Sequence, residues 1–233
     1  MRPVERGAAP RDERDVAKVF AAYGDARDDL LARLGSFCSY CEMRIENAPN
    51  VEHVSPKSRD AERERDWDNL LLACNHCNPT KGSVKRRLDD HLWPDRDNTA
   101  RAFRYDESGR MEPVEGLPEG VRLRALRTRN MVGLDPRDAT SANLRRLKHR
   151  RDAWTMATTN RARLRAAPDP LFGAALREVL VDLARRCGYW SIWMTVFADD
   201  PDMRRRLIEG FKGTSAACFD TATTPIARPG GAL

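Results

Sequence analysis

Apolar positions recur with two different periods along this chain, and the switch between them outlines its architecture. From Ser141 onward the spacing is helical. Leu144, Leu147, Trp154, Ala157 and Leu164 trace one stripe behind Ser141, which suits an N-cap. Leu171, Phe172, Leu176, Val179, Leu180 and Leu183 mark a second helix. Asp200-Pro201 opens a third, with Met203, Leu207 and Phe211 turned inward. Near the start, Val16, Val19, Phe20, Tyr23, Leu30, Leu31 and Leu34 roughly follow helical spacing, with an interruption at Gly24. The middle reads as strand. Val51 to Val54 form a short β-like run broken by Pro56, and Leu70-Leu71-Leu72-Ala73 form another. Ala102 to Tyr105, followed by a Ser108-Gly109 turn, predict a small hairpin. The pattern therefore predicts an α+β fold, mainly helical. It divides into an N-terminal helical segment (1–37), a core (38–91), a connector with a hairpin (92–140), a helical region (141–219) and a disordered tail (220–233).

Composition narrows the class. Hydrophobic residues are 41% and charged residues 33% of 233, enough for a sizeable core in one large domain or two small ones. No apolar run approaches the roughly 20 residues a bilayer requires; Tyr189 to Ala198 is the most apolar stretch and is too short. A membrane role is excluded on that pattern, and a cytoplasmic location is expected. Charge is unevenly placed. Residues 121–165 carry thirteen Lys or Arg against three Asp, a local net of +10 in a chain of +6. The core at 38–91 is near neutral, with nine basic and ten acidic side chains. An electrostatic footprint for nucleic acid would thus lie mainly outside the core.

The cysteines change the picture. Cys38 and Cys41 form one Cys-x-x-Cys pair and Cys74 and Cys77 another, separated by thirty-two residues. Two such knuckles supply four thiolates to one tetrahedral zinc and staple distant parts of the chain together. A disulfide framework fits poorly with only six cysteines in 233 residues and no leader pattern at the start. A redox motif fits poorly too, because such pairs stand alone at a strand–helix junction. Cys187 and Cys218 are solitary, and Cys187 reads as a buried apolar cysteine.

A structural zinc alone does not call for Glu52-His53. On a strand these neighbours point to opposite faces and so serve separate purposes. The segments Glu52-His53-Val54-x-Pro56, Trp67-Asp68-Asn69-Leu70 and Cys74-x-x-Cys77-Asn78-x-x-Lys81 together resemble the HNH endonucleases, in their zinc-knuckle form, over about residues 38–82. The resemblance implies a ββα-metal nuclease core. It implies His53 as the general base that activates water, and Glu52 and Asn78 as ligands of a catalytic Mg²⁺ or Mn²⁺. Asn69 would hold the loop between the strands, and Lys81 would meet phosphate or the transition state. Many relatives carry aspartate where Glu52 stands, and Pro79 departs from the pattern in a way that would shorten the helix after the second knuckle. The chemistry is coherent: a neutral imidazole near pH 7 suits a base, and oxygen ligands suit a hard cation while thiolates suit zinc. His76, inside the second knuckle, reads as a solvent or phosphate contact, since four cysteines already fill a tetrahedral site.

Candidates for phosphate contact are Lys57, Lys81, Lys85 and Arg86 near the core, and Arg145, Arg146, Lys148, Arg150 and Arg151 on the Arg-rich helix. A solvated helix face explains that helix equally well, and contact with an acidic protein is a third use. The segment Leu126-Arg127-x-Arg129-Asn130-x-x-Gly133-Leu134, with the helix after it, looks like the HNH proteins of Septu and retron anti-phage systems. That looser resemblance implies a defence role and an SMC-like ATPase partner, while DNA is the substrate expected of the endonuclease reading. The competing class is a zinc-stapled module that binds nucleic acid or protein through a degenerate nuclease site.

Overall fold

The computed structural model describes residues 1–47, 49–84, 87–135, 137 and 140–233. Among these the chain forms two small antiparallel sheets and seven α-helices, an α+β fold dominated by helix. The first sheet pairs β1 (Asn50–His53) with β2 (Leu70–Ala73) in the register Val51 opposite Leu72 and His53 opposite Leu70. All four residues of β2 are buried, since α1 (Arg27–Leu34) packs against it through Leu30 and Leu34. The chain leaves β2 through Cys74 into the short helix α2 (Cys77–Lys81), which ends at Gly82.

The second sheet is a hairpin of β3 (Phe103–Tyr105) and β4 (Met111–Pro113). It is followed by α3 (Glu119–Met131), then α4 (Ser141–Arg165), α5 (Pro170–Cys187), α6 (Trp190–Val196) and α7 (Pro201–Gly210). Helix α4 packs on α5 and α6, and α5 on α7. The apolar stretch read as too short for a membrane is α6, which lies in the core with Trp190, Ile192 and Trp193 buried. No helix among the described residues is long and apolar enough to cross a membrane.

One glycine lets the helical region approach the first knuckle, and another lets the hairpin approach α4. Gly188 ends α5 at φ +78°, where a Cβ would sit 2.8 Å from the Glu42 carbonyl oxygen. Gly109, at the hairpin tip with φ +79°, meets α4 so closely that a Cβ would lie 2.8 Å from the Leu147 carbonyl oxygen. A side chain at either position would clash with backbone and meet a conformation that L residues avoid.

Several sequence expectations need correction. The helical spacing at 16–22 does not produce a helix, which begins only at Tyr23; Val16 and Val19 are exposed, and the Asp12 carboxylate accepts from the Arg14 and Val16 amides, closing a turn instead. The connector contains α3, whose buried face includes the polar Thr128 and Arg129 and so gives a weak apolar stripe. The cap of α4 is Thr140, one residue earlier than Ser141. Its buried stripe is Asn143, Arg146, Arg150, Ala153, Ala157, Asn160 and Leu164, while Leu144 is exposed. The C-terminal stretch from 220 is held in place. Asn98 donates to the carbonyls of Cys218 and Ile226, Arg228 to those of Val4 and Pro94, and the Ala232 amide to Asp97.

Candidate functional site

The two knuckles meet. Cys38 and Cys41 sit in a tight turn in which the Cys38 amide donates to the Met43 carbonyl and Glu42 takes φ +63°. Cys74 and Cys77 sit where β2 turns into α2, and the Cys77 amide points at the Cys74 sulfur, 3.4 Å away. All four cysteines are buried, with their sulfurs within 4.8 Å of one another. The Cys41–Cys74 sulfur separation is 3.7 Å. Four thiolates bound tetrahedrally at the usual zinc distance lie about 3.8 Å apart, whereas a disulfide needs about 2.05 Å. The set fits a metal such as zinc. Four thiolates buried this close to one another would repel, so gathering them here calls for a cation at their centre.

Beside this cluster, β1 presents Glu52 to the interior and His53 toward the loop. Glu52 is buried; its Oε1 accepts from Lys81 Nζ at 2.6 Å and from the Tyr40 hydroxyl at 3.3 Å. Burial raises the Glu52 carboxyl, and Lys81 opposes that rise. The same ammonium donates to the His53 carbonyl at 2.6 Å and lies 5.7 Å from the centre of the Trp93 ring. Lys81 thereby fastens α2 to β1. Asn78, one turn earlier on α2, shares the helix side from which Lys81 reaches Glu52.

His53 is half-buried, and its Nε2 lies 2.8 Å from the Glu64 carbonyl oxygen. A carbonyl only accepts, so in the neutral ring Nε2 carries the proton and Nδ1 keeps the lone pair. The Tyr23 ring meets the imidazole edge-on, 4.7 Å between centres. Burial is the main cause lowering the His53 pKa below its ordinary value, with the charges of Lys57 and Lys81 adding to it and the Glu64 carbonyl opposing.

The carbonyl that holds His53 belongs to the loop between the strands, and Asn69 ties that loop. Its Oδ1 accepts from the Ser55 amide at 2.7 Å, and its Nδ2 donates to the carbonyls of Ser55 and Arg63 at 2.9 and 3.0 Å. Asn69 is fully buried. A chain of contacts thus runs from Asn69 through the loop backbone to the imidazole.

A family model described as HNH endonuclease matches residues 38–83, the segment that holds both knuckles, the β1–β2 hairpin and α2. Over residues 38–83 the chain is similar to the HNH endonucleases. Septu protein PtuB from Bacillus thuringiensis is 31% identical over 87 residues, covering 35% of this chain and 34% of that relative. The match therefore spans about a third of the relative's length.

The structure separates the candidate phosphate contacts around the HNH domain. Lys57 is exposed, paired with Glu64 at 3.2 Å and placed 5.1 Å from the centre of the Tyr23 ring. Lys81 is only 2% exposed, and its ammonium is turned to Glu52, so the expectation that it meets phosphate is corrected. Lys85 and Arg86 lie outside the described residues. On α4, Arg145, Lys148 and Arg151 are exposed, but Arg146 and Arg150 are buried at 5% and 3%. Arg146 turns to Cys77 and Arg150 to the β3–β4 hairpin rather than to solvent. His76 and His149 both line a cleft of about 600 Å³ between the second knuckle and α4. Sequence reasoning missed Tyr23, Tyr40 and Trp93. All three are ordinary aromatic positions until the fold brings them to His53, Glu52 and Lys81.

Proposed function

We propose that this chain is a metal-dependent endonuclease that hydrolyses phosphodiester bonds of DNA. In this reading His53 Nδ1 takes the proton from the attacking water while the Glu64 carbonyl fixes the ring. The observation that carries the reading is that contact: the imidazole is oriented, neutral in a half-buried setting, and has its basic nitrogen turned away from the holding bond. Glu52 and Asn78 would hold Mg²⁺ or Mn²⁺, which when bound neutralises charge on the phosphate and the leaving oxygen. Lys81 opposes the rise that burial imposes on the Glu52 carboxyl and ties α2 to β1. The four cysteines would hold zinc as a purely structural ion. The exposed Arg145, Lys148 and Arg151, with Lys57, would meet the phosphate backbone. The likeness to a Septu protein supports a role as the nuclease effector of a cytoplasmic anti-phage system, with an SMC-like ATPase as partner.

The second reading is a zinc-stapled binding module whose nuclease site is degenerate. The observation on its side is that Glu52 is buried and already paired with Lys81. Plasmid nicking with Mg²⁺ or Mn²⁺ separates the two, run on the parent and His53→Ala, alone and with the co-purified partner. Metal-dependent nicking that His53→Ala abolishes supports the endonuclease. Salt-sensitive DNA binding without nicking in any of these preparations establishes the module instead.

A further inference from the structure

We propose that Arg146 is the counter-cation of the cysteine metal centre, and that through it α4 and the HNH domain form one metal-dependent unit. This rests on the reading that the four cysteines hold zinc. Arg146 is 5% exposed, with Nη2 3.3 Å from the Cys77 sulfur and Nη1 3.1 Å from the Gly133 carbonyl oxygen. Among the described residues no carboxylate forms an ion pair with it, and its buried Nε has no hydrogen-bond partner. An unpaired guanidinium in such a setting is strongly unfavourable, so burial on this scale requires an anion.

The thiolate cluster is that anion. Four thiolates around one divalent ion leave a net charge of about −2 at the centre, enclosed in low dielectric. A charged N–H donor at Cys77 spreads this charge and so stabilises the loaded centre. The demand is mutual: the guanidinium needs the thiolates, and the thiolates need a cation.

A second contact ties the same helix to the other knuckle. Arg150, one turn after Arg146, donates from Nε to the Gly109 carbonyl at 2.5 Å, and its guanidinium lies 5.8 Å from the centre of the Tyr105 ring. The Tyr105 hydroxyl donates to the Cys41 carbonyl at 3.2 Å. Helix α4 therefore reaches Cys77 directly and Cys41 through Tyr105. Two members of the basic run belong to the metal centre, whereas Arg145, Lys148 and Arg151 remain on the solvent side.

The test uses the full chain. Zinc per chain is measured in the parent, and release to a chromogenic chelator is followed in the parent, Arg146→Met, Arg146→Lys and the exposed control Arg145→Met. Loss of an outer partner of this kind weakens metal affinity by about 10–100-fold, and Arg146→Met is expected in that range. Arg146→Lys keeps the charge but cannot fork to both Cys77 and Gly133, so an intermediate rate is expected; Arg145→Met should match the parent. In the cobalt-substituted protein, removing the N–H donor raises the sulfur electron density. The thiolate-to-metal charge-transfer band should then move to lower energy in Arg146→Met, a change that repacking of α4 alone would not cause. Zinc removal from the parent should also speed amide exchange in α4.

Parent-like release and an unmoved band in Arg146→Met overturn the proposal. If that variant does not fold, parent-like release from Arg146→Lys overturns it. A parent chain without stoichiometric zinc sinks the zinc reading itself, and this proposal with it. A parent that holds zinc but whose variants do not respond sinks only the role of Arg146.

Discussion

The Lys81 ammonium lies 2.6 Å from Glu52 Oε1, and neither side chain is more than 4% exposed. The pair joins α2 to β1, with a further bond from the same nitrogen to the His53 carbonyl. Breaking a buried pair by removing one partner leaves a charge without compensation. Lys81→Met should therefore cost about 3–5 kcal/mol in urea unfolding. Adding Glu52→Gln to that variant should recover much of the loss, because the remaining group is then neutral. A single-variant cost below about 1 kcal/mol, within the range of an exposed pair, would show that the two charges are not coupled in the folded protein.

Asn69 makes three hydrogen bonds that close the loop carrying Glu64. Asn69→Ala removes all three and leaves buried backbone groups without partners, at about 1–3 kcal/mol for each group that water cannot reach. Asn69→Asp retains the acceptor for the Ser55 amide but places an acceptor against the Ser55 and Arg63 carbonyls, so it should be no better tolerated. Both variants should be cut faster by trypsin at Arg59, Arg63 or Arg65. Parent-like protection of those sites would mean the loop holds its shape without Asn69.

Local chemistry was readable where spacing itself encodes geometry. Two Cys-x-x-Cys pairs predict a four-sulfur cluster because each knuckle fixes its own sulfurs, and the four sulfurs do converge. The hairpin at 103–113 was readable from its turn residues. Helix α4 shows where such reading stops. Apolar spacing predicts a stripe through Leu144 and Leu147, but the buried positions begin with Asn143, Arg146 and Arg150. Periodicity counts arginine as an outward residue, and nothing local announces that a thiolate cluster sixty-nine residues away will accept it. Val16 and Val19 failed for the opposite reason. Their spacing was helical, but the Asp12 carboxylate offered the backbone a closer partner.

The state of His53 predicts the acid side of the pH–rate profile. Burial, the largest cause, holds its pKa below the ordinary 6.5. The base is the neutral ring, so the rate should fall as pH drops through that lowered value and stay level from about pH 7 upward. Lys57→Ala removes one nearby positive charge, which favours the protonated ring and moves the acid limb slightly upward; the shift is small because Lys57 is 54% exposed. Nicking rates across pH at saturating divalent ion measure both. An acid limb centred above pH 7 in the parent would rule out a desolvated His53 as the titrating base.

Metal removal should separate folding from chemistry. Cys74 is buried between the knuckles, and its sulfur is 3.7 Å from that of Cys41 and accepts the Cys77 amide. Cys74→Ser is therefore expected to release the metal and lower the melting temperature sharply. His53→Ala takes away one half-exposed ring and a single bond to the Glu64 carbonyl, so it should melt close to the parent while losing nicking. Thiol counting provides an independent readout. Cys218 is buried, and burial with the neighbouring Asp152 charge pushes the Cys187 thiol up to about 11, so the native metal-bound chain should alkylate slowly at neutral pH. A strong chelator should then expose the four knuckle thiols together. Equal loss of folding in Cys74→Ser and His53→Ala, or rapid alkylation of the knuckle thiols before chelator is added, would mean that the sulfurs do not enclose a structural metal apart from the catalytic groups.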